Sequence, residues 1–401
     1  MSEATAADLI KNRAIWPDDF REAIPRIREV ADFDLAVPAD LTERLAANAG
    51  DLLVPEEFLT ECAAALMAGH LVLQGPPGTG KSSLARALAR SFNAGLLPVT
   101  AHEDWSTFEV VGRQELRVDE NNNEEIVPVD GHFTEAVIRC AGRIPSHFDN
   151  PDNPQAEWLL IDELNRAHPD KAFGELFSAL GSDDPVDITL GYQRAGNNTL
   201  AVPRRFRIIA TINSVDKQFV NALSQGLRRR FTFLTLDIPN QRGSGQQWGT
   251  DSSIATEEYL VACAAAIRRA ARKTGLPASD FSEHLAHADC TQRIHTLFDV
   301  VERVRYASYD SDDPYIPIGT APLIDTIELY LIGAGQKGFD LGSDAATLDW
   351  ATSVKLVPLF DAGGANREKL NRLASSLPAP FDRVTRRGIL EIESDGMFSV
   401  R

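Results

Sequence analysis

Two short stretches carry the residue types that polyphosphate chemistry needs. The first, "LVLQGPPGTGKSSLARALAR", runs from Leu71 to Arg90. Its centre fits the pattern G-x-x-x-x-G-K-S/T. Gly75, Gly80, Lys81 and Ser82 take the fixed positions, with Pro76, Pro77, Gly78 and Thr79 between them and Ser83 next. An apolar run precedes the pattern, and Leu84, Leu88 and Phe92 follow at helical spacing, so the context is strand, loop, helix. Such a loop turns backbone N–H groups inward around a polyphosphate, and the helix start adds a positive dipole end. Lys81 reaches the outer phosphates and the Ser82 hydroxyl ligates Mg²⁺.

The second stretch, "WLLIDE", is four apolar residues followed by Asp162 and Glu163. A strand there carries Asp162 to the Mg²⁺ beside Ser82, and Glu163 can accept a proton from an attacking water. Taken alone, the pair reads equally well as an acidic helix start after a strand. Downstream of the phosphate loop the chemical reading prevails. "RIIATIN" sets Asn213 at a strand end, where a neutral amide can orient a water, although "NSVD" is also good turn chemistry. "GLRRRF" offers Arg228, Arg229 and Arg230, closely after Asn213 and just before the strand-like "FTFLTL". Three consecutive arginines point in different directions, so at least one reaches outward, as a finger for a neighbouring subunit's site would. His284 and His287 lie three apart with no third ligand nearby, which favours surface or capping roles over a metal.

The elements that must hold these groups alternate. "PEEFLTECAAALMAG" reads as a helix leading into the phosphate strand. "PVTAHEDWSTFEVVG" reads as a strand and then a helix start. "EWLLIDE" and "RFRIIATIN" read as buried strands, so an α/β fold with a parallel sheet is expected. "QELRVDENNNEEIVPVDGHF" predicts a hairpin around a polar tip, and "RIPSHFDNPDNPQAE" a Pro/Asn/Asp-rich loop. "PNQRGSGQQWGTDSS", residues 239–253, lacks an apolar period and marks the domain boundary; the chain beyond it is helical. The expected organisation is a short N-terminal helical extension over 1–50, a large α/β domain over 51–240, and a helical domain with the C-terminal segment over 254–401.

Forty basic against 58 acidic residues give a net charge of −18, a surface that repels nucleic acid on average. DNA contact would therefore be indirect, through a partner or a local basic patch. Cys62, Cys140, Cys263 and Cys290 are scattered without a C-x-x-C pair, as buried thiols of a reducing compartment are. The sequence shows no membrane span and no signal peptide at "MSEATAADLIKNR", so a cytoplasmic location is expected.

"LQGPPGTGKS", "WLLIDELNRAHPDKAFGELFSAL" and "VPRRFRIIATINSVDKQFVNALSQGLRRRF" together resemble an AAA+ ATPase of the dynein-related group, which includes McrB-type and MoxR-type proteins. "FGEL" and "LRRRF" resemble the McrB type more, and "VVGRQELRV…VDGHF" resembles the hairpin insert of both. The resemblance is strong over roughly 50–240 and weak through "YIPIGTAPLID" and "WATSVKLVPLF", which resemble a helical lid. It implies a P-loop AAA+ nucleotide-binding domain with a parallel sheet, followed by an α-helical lid. It implies Walker A at Gly75–Ser82, Walker B at Asp162 and Glu163, sensor one at Asn213, a trans finger among Arg229 and Arg230, and a subunit-boundary contact at Arg166. ATP, or GTP as in the McrB type, with Mg²⁺ would be the ligands. The assembly implied is a homo-oligomer, a hexameric ring. Its partner would be a McrC-like nuclease or, on the MoxR reading, a von Willebrand-type client. Three departures stand out. The McrB-like M-N-T-A-D-R-S reads "INSVDKQ" here, which keeps Asn213 and Asp216 but has Lys217 for Arg. "IGTAPLID" has no sensor-two arginine. Fifty N-terminal residues are too few for the DNA-reading domain of the McrB type.

Overall fold

The computed structural model describes residues 27–50, 52–118, 124–176, 180, 186–194, 197–214, 225–238, 252–308, 310–335, 343–362 and 367–395. Asp216, Lys217 and the candidate helix "DLIKNRAIW" lie outside the described residues. The chain divides into two compact units: Met1–Gln74 with Lys81–Thr235, and Gly75–Gly80 with Leu236–Arg401.

In the first unit, α1 (Ile27–Ala31), α2 (Leu41–Ala49) and α3 (Glu56–Ala68) lead to β1 (His70–Gly75). Then come α4 (Lys81–Ser91), β2 (Ala94–Thr100), α5 (Thr107–Val110), β3 (Gly112–Val118), β4 (Glu124–Asp130), α6 (His132–Asp149) and β5 (Ala156–Asp162). A 3-10 turn at Leu164–Arg166, α7 (Pro169–Phe173), β6 (Asp187–Arg194), β7 (Asn197–Ala201), β8 (Ile208–Asn213), α8 (Gln225–Arg228) and β9 (Phe231–Thr235) complete it. The main sheet has the order β2-β5-β8-β1-β9, and the pairs β2–β5, β5–β8 and β1–β9 run parallel. Residues 158–161 of β5 are buried on both faces, as a central parallel strand covered by helices requires. Asp162 and Asn213 are the last residues of neighbouring parallel strands, and ligands of α/β sheets collect at such carboxyl ends.

Two antiparallel hairpins stand apart from this sheet. β3 and β4 pair with Leu116 opposite Ile126, both exposed on their shared face. β6 and β7 form the other, in a stretch for which the sequence reading names no element. A second difference concerns Arg143–Asp149, expected as the start of a loop. Here α6 continues to Asp149 with Pro145 inside it. Burial of Ile144 and Pro145, and an ion pair from Arg143 Nε to Glu157 Oε2 at 2.9 Å, hold the turn that proline would otherwise weaken. Ahead of the sheet, the Gln155 side chain grips the N-terminal segment. Its Oε1 accepts from Ala36 N–H at 2.8 Å and its Nε2 donates to Ala36 O at 2.7 Å.

The second unit is helical after the phosphate loop: α9 (Ser252–Thr274), α10 (Ala278–Ala286), α11 (Ala288–Arg305), α12 (Thr320–Gly335), α13 (Asp344–Lys355), α14 (Val357–Ala362), α15 (Arg367–Ser376) and α16 (Val384–Asp395). Leu297, Leu323, Ile327, Leu348, Leu373 and Phe381 are fully enclosed in its core. The core also encloses a charge pair. Arg305 donates to both Glu258 oxygens at 2.8 and 3.1 Å, and Thr320 Oγ1 donates to Glu258 Oε1 at 2.6 Å. Bidentate pairing with a third donor is the geometry a buried ion pair needs. It fixes the first residue of α12. Among the described residues, no helix is long and apolar enough to cross a membrane.

Candidate functional site

The carboxyl end of β5 supplies the acidic groups, the end of β8 supplies Thr211 and Asn213, and the first turn of α4 supplies Lys81 and Ser82. Ser82 Oγ donates to Asp162 Oδ1 at 2.8 Å. The Thr211 hydroxyl donates to the same oxygen and accepts from Glu163 N–H at 2.9 Å. Asn213 Nδ2 donates to Glu163 Oε1 at 3.1 Å, and Asn165 Oδ1 accepts from Asn213 N–H at 3.4 Å. One continuous network therefore joins Ser82, Asp162, Thr211, Glu163, Asn213 and Asn165, although these residues come from three separate sequence stretches.

Glu163 is held in the left-handed region, with φ 56° and ψ 45°. For a residue with a Cβ this costs on the order of 1–3 kcal/mol, and it persists only where the surroundings enforce it. Thr211 below it and the 3-10 turn after it do so, with Arg166 N–H donating to Glu163 O at 2.9 Å. Arg166 Nε reaches Glu163 Oε2 at 2.9 Å, from a half-exposed position. Both oxygens of Glu163 are thus engaged, one by an amide and one by a guanidinium.

Two residues of this network, Thr211 and Asn165, were not singled out from sequence. Thr211 precedes Asn213 by two residues on the same strand, so strand alternation puts both on one face. That alternation is the signal that could have found it. Asn165 is buried, and its Nδ2 has no hydrogen-bond acceptor among the described residues. A buried donor left unmade costs about 1–3 kcal/mol, which an arriving acceptor would recover. Ser82 Oγ and Asp162 Oδ1 are hard oxygens at close range, the donor type that suits Mg²⁺.

Within the second unit, the phosphate loop rests on the start of α12. Ala321 N–H donates to Gly78 O at 3.0 Å. Gly78 has φ +76°, a conformation that glycine adopts freely, and a Cβ there would meet Pro322 Cδ at 2.6 Å. A Cβ at Gly319 would meet the Gly78 carbonyl carbon and oxygen at 2.3 and 2.4 Å and Thr79 N at 2.7 Å. "IGTAP" therefore contributes backbone rather than a cation at the loop. Thr79 Oγ1 closes the loop internally, donating to Pro76 O at 3.0 Å.

The arginine run sits at the end of α8. Arg228 lies with Cζ 6.0 Å from the Phe233 ring centroid. Arg230 turns back, donating from Nη1 to Gly226 O at 2.6 Å. Arg229 is exposed.

Residues 70–231 match the family model of the AAA domain, dynein-related subfamily. They form an AAA domain of that subfamily. Such domains are nucleotide-binding ATPase domains. Among known proteins, the chain is similar to the McrB subunit of the type IV methyl-directed restriction enzyme EcoKMcrB of Escherichia coli strain K12. The two are 27% identical over 197 residues, 47% of this chain and 39% of that protein. It is also similar to the YdiS component of the type II restriction enzyme BsuMI of Bacillus subtilis strain 168, 26% identical over 214 residues, 44% of this chain and 60% of that protein. A third relative is an uncharacterized protein of Staphylococcus saprophyticus, 26% identical over 174 residues, 42% of this chain and 55% of that protein. The chain thus spans 39% to 60% of these relatives' lengths. The AAA domain match runs from the start of β1 into the first residue of β9, and it contains every residue of the hydrogen-bonded network.

Proposed function

We propose that the protein is a Mg²⁺-dependent nucleoside triphosphatase that prefers ATP and can use GTP, acting as the ring-forming motor subunit of a cytoplasmic restriction or defence complex. The observation that carries the reaction is the network from Ser82 through Asp162, Thr211 and Glu163 to Asn213. Mg²⁺ held by Ser82 and Asp162 would neutralise charge developing on the outer phosphates. Backbone N–H groups of Gly75–Gly80 and the Lys81 ammonium hold the phosphates. Asn213 orients the attacking water, and Glu163 takes its proton once one of its two oxygens is released by Asn213 or Arg166. Arg229 is the better placed of the two expected finger residues, since the Arg230 guanidinium is spent on its own Gly226. A finger must enter a neighbour's site, and such heterologous contacts close into rings, a hexamer here.

The restriction role rests on the names of two relatives, a McrB subunit and a BsuMI component. It would place nuclease and DNA recognition on a McrC-like partner. The net charge of −18 favours a second reading, a MoxR-like chaperone that remodels a von Willebrand-type protein client without touching nucleic acid. Phosphate release by the purified protein, with ATP and GTP at matched concentration and with Mg²⁺ or a chelator, tests the reaction. Mg²⁺-dependent release that is faster with ATP is expected. No release from either nucleotide would overturn the reading, and a clear GTP preference would reverse the nucleotide choice.

A further inference from the structure

A second convergence of side chains lies in the helical unit, among residues that the phosphate chemistry does not use. His284 near the end of α10, Cys290 in the first turn of α11, Tyr330 in α12 and Asp344 at the start of α13 meet at one point. His284 Nε2 and Cys290 Sγ are 3.9 Å apart, His284 Nε2 and Asp344 Oδ2 3.7 Å, and Cys290 Sγ and Asp344 Oδ2 3.6 Å. The Tyr330 hydroxyl lies 3.1 Å from His284 Nε2 and 3.3 Å from Cys290 Sγ. Three potential ligands therefore form a nearly equilateral triangle with a fourth oxygen beside it.

The dimensions are those of a transition-metal site. Bonds of about 2.0–2.3 Å to nitrogen, oxygen and thiolate sulfur set tetrahedral donor–donor separations of about 3.3–3.6 Å. The observed edges exceed these by a few tenths of an ångström, a contraction that rotamer adjustment supplies. The ligand types also fit: a thiolate and an imidazole with one carboxylate suit zinc-class ions rather than Mg²⁺ or Ca²⁺. Two anionic ligands would balance a divalent charge. Cys290 is buried while Asp344 is more than a third exposed, so an ion could enter from the Asp344 side. Without an ion, the same groups can satisfy one another in a chain. His284 Nε2–H can donate to the Tyr330 oxygen, Tyr330 donates to Cys290, and the Cys290 thiol donates to Asp344. That chain keeps the triangle assembled, a preorganised arrangement that metal binding needs.

We propose that His284, Cys290 and Asp344 bind one divalent transition-metal ion of the zinc class, with Tyr330 or a water in the fourth position. The ion would tie α10, α11 and α13 together beside α12, and so stiffen the helical unit. No reading of the ATPase site is needed for this.

The test uses the intact protein, stripped with a chelator and exchanged into metal-free buffer, then titrated with Co²⁺. Saturation at one Co²⁺ per chain is expected, with a thiolate-to-cobalt charge-transfer band and the visible bands of a tetrahedral ion. Zn²⁺ should displace it and raise the unfolding temperature. Cys290→Ser should abolish the charge-transfer band. Tyr330→Phe should weaken affinity about 10–100-fold, the usual effect of removing a group that supports the ligands. Lys81→Ala should leave the band unchanged, which separates this site from the phosphate loop. Circular dichroism checks each variant's fold; if Cys290→Ser does not fold, His284→Gln takes its place, with loss of tight binding expected. Absence of a charge-transfer band at saturating Co²⁺ would overturn the proposal. So would a band that persists in Cys290→Ser, because the ion would then sit on Cys62, Cys140 or Cys263.

Discussion

The two polar clusters of this molecule are built in opposite ways. The strand-end network takes its residues from three contiguous motifs, each delivered by a strand or the helix after it, and it stores strain at Glu163. The helical cluster takes one residue from each of four helices, 6, 40 and 14 positions apart in sequence, and no residue in it has a left-handed backbone. Strand ends repeat a fixed geometry, so spacing in sequence maps onto position in space. Helix faces meet through tertiary packing, so no short pattern records the meeting.

The largest effect that could break this comparison comes from outside the network. Arg229→Ala should cut turnover by roughly 10³-fold or more if Arg229 stabilises a neighbour's transferring phosphoryl group. Mixing those subunits with Lys81→Ala subunits should restore activity above either variant alone, rising with protein concentration as rings form. The same mixture with Arg230→Ala should recover less, since that guanidinium is bonded within its own subunit. If neither mixture recovers activity while both variants still form rings, the run is a charged surface turn.

Next in size is Gly319→Val. Its side chain would displace Gly78 and Thr79, and a misplacement near 1 Å of positioning groups costs about a hundredfold in rate. Turnover should fall by that order while the Co²⁺ response of the helical cluster persists. Unchanged turnover would show that the loop does not need this backbone approach.

These two variants also mark how far the sequence could be read. "GPPGTGKS", "WLLIDE" and "RIIATIN" were legible because their polar residues sit at fixed offsets from apolar runs, and the hairpin at 112–130 because its alternation flanks a polar tip. Thr211 was hidden because a threonine in an apolar strand reads as strand propensity. The extension of α6 through Pro145 was hidden because composition points to a loop, while burial of Ile144 and the Arg143–Glu157 pair decide otherwise. Gly319 reads as a turn glycine, and only the packed structure shows the loop against it. His284 was set aside for lack of a nearby ligand, and its neighbours come from 6, 46 and 60 residues away.

Thr211→Val probes the support beneath the strained glutamate. It removes the acceptor of Glu163 N–H and the donor to Asp162, at a cost of about 1–3 kcal/mol in chemical denaturation. Turnover should fall too, with the metal response of the helical cluster intact. No change in either quantity would mean that the Glu163 conformation is held by the following turn alone.

The last effect is a pH dependence of stability set by one residue of the sheet. His70 is buried, its Nδ1 accepts from Ile208 N–H at 3.1 Å, and burial, with the Arg207 charge, pushes its pKa down to about 3. The unfolded chain takes up the proton below its ordinary value of 6.5, and the folded chain does not until about 3. Stability is therefore complete above 6.5 and falls as pH drops toward 3, by up to about 1.4 kcal/mol per pH unit. His70→Gln should flatten that slope in denaturation curves between pH 6.5 and 4. An unchanged slope would assign the acid sensitivity to other groups.

The central claim is that Glu163, released from one of its partners, takes the proton of the attacking water. Glu163→Gln keeps the size and an amide oxygen for hydrogen bonding but removes the base. Turnover and nucleotide affinity should be measured together on this variant and the natural protein. The prediction is unchanged affinity for triphosphate and Mg²⁺ with turnover lowered about a hundredfold or more. Near-normal turnover with normal affinity would contradict it and take Glu163 out of the mechanism.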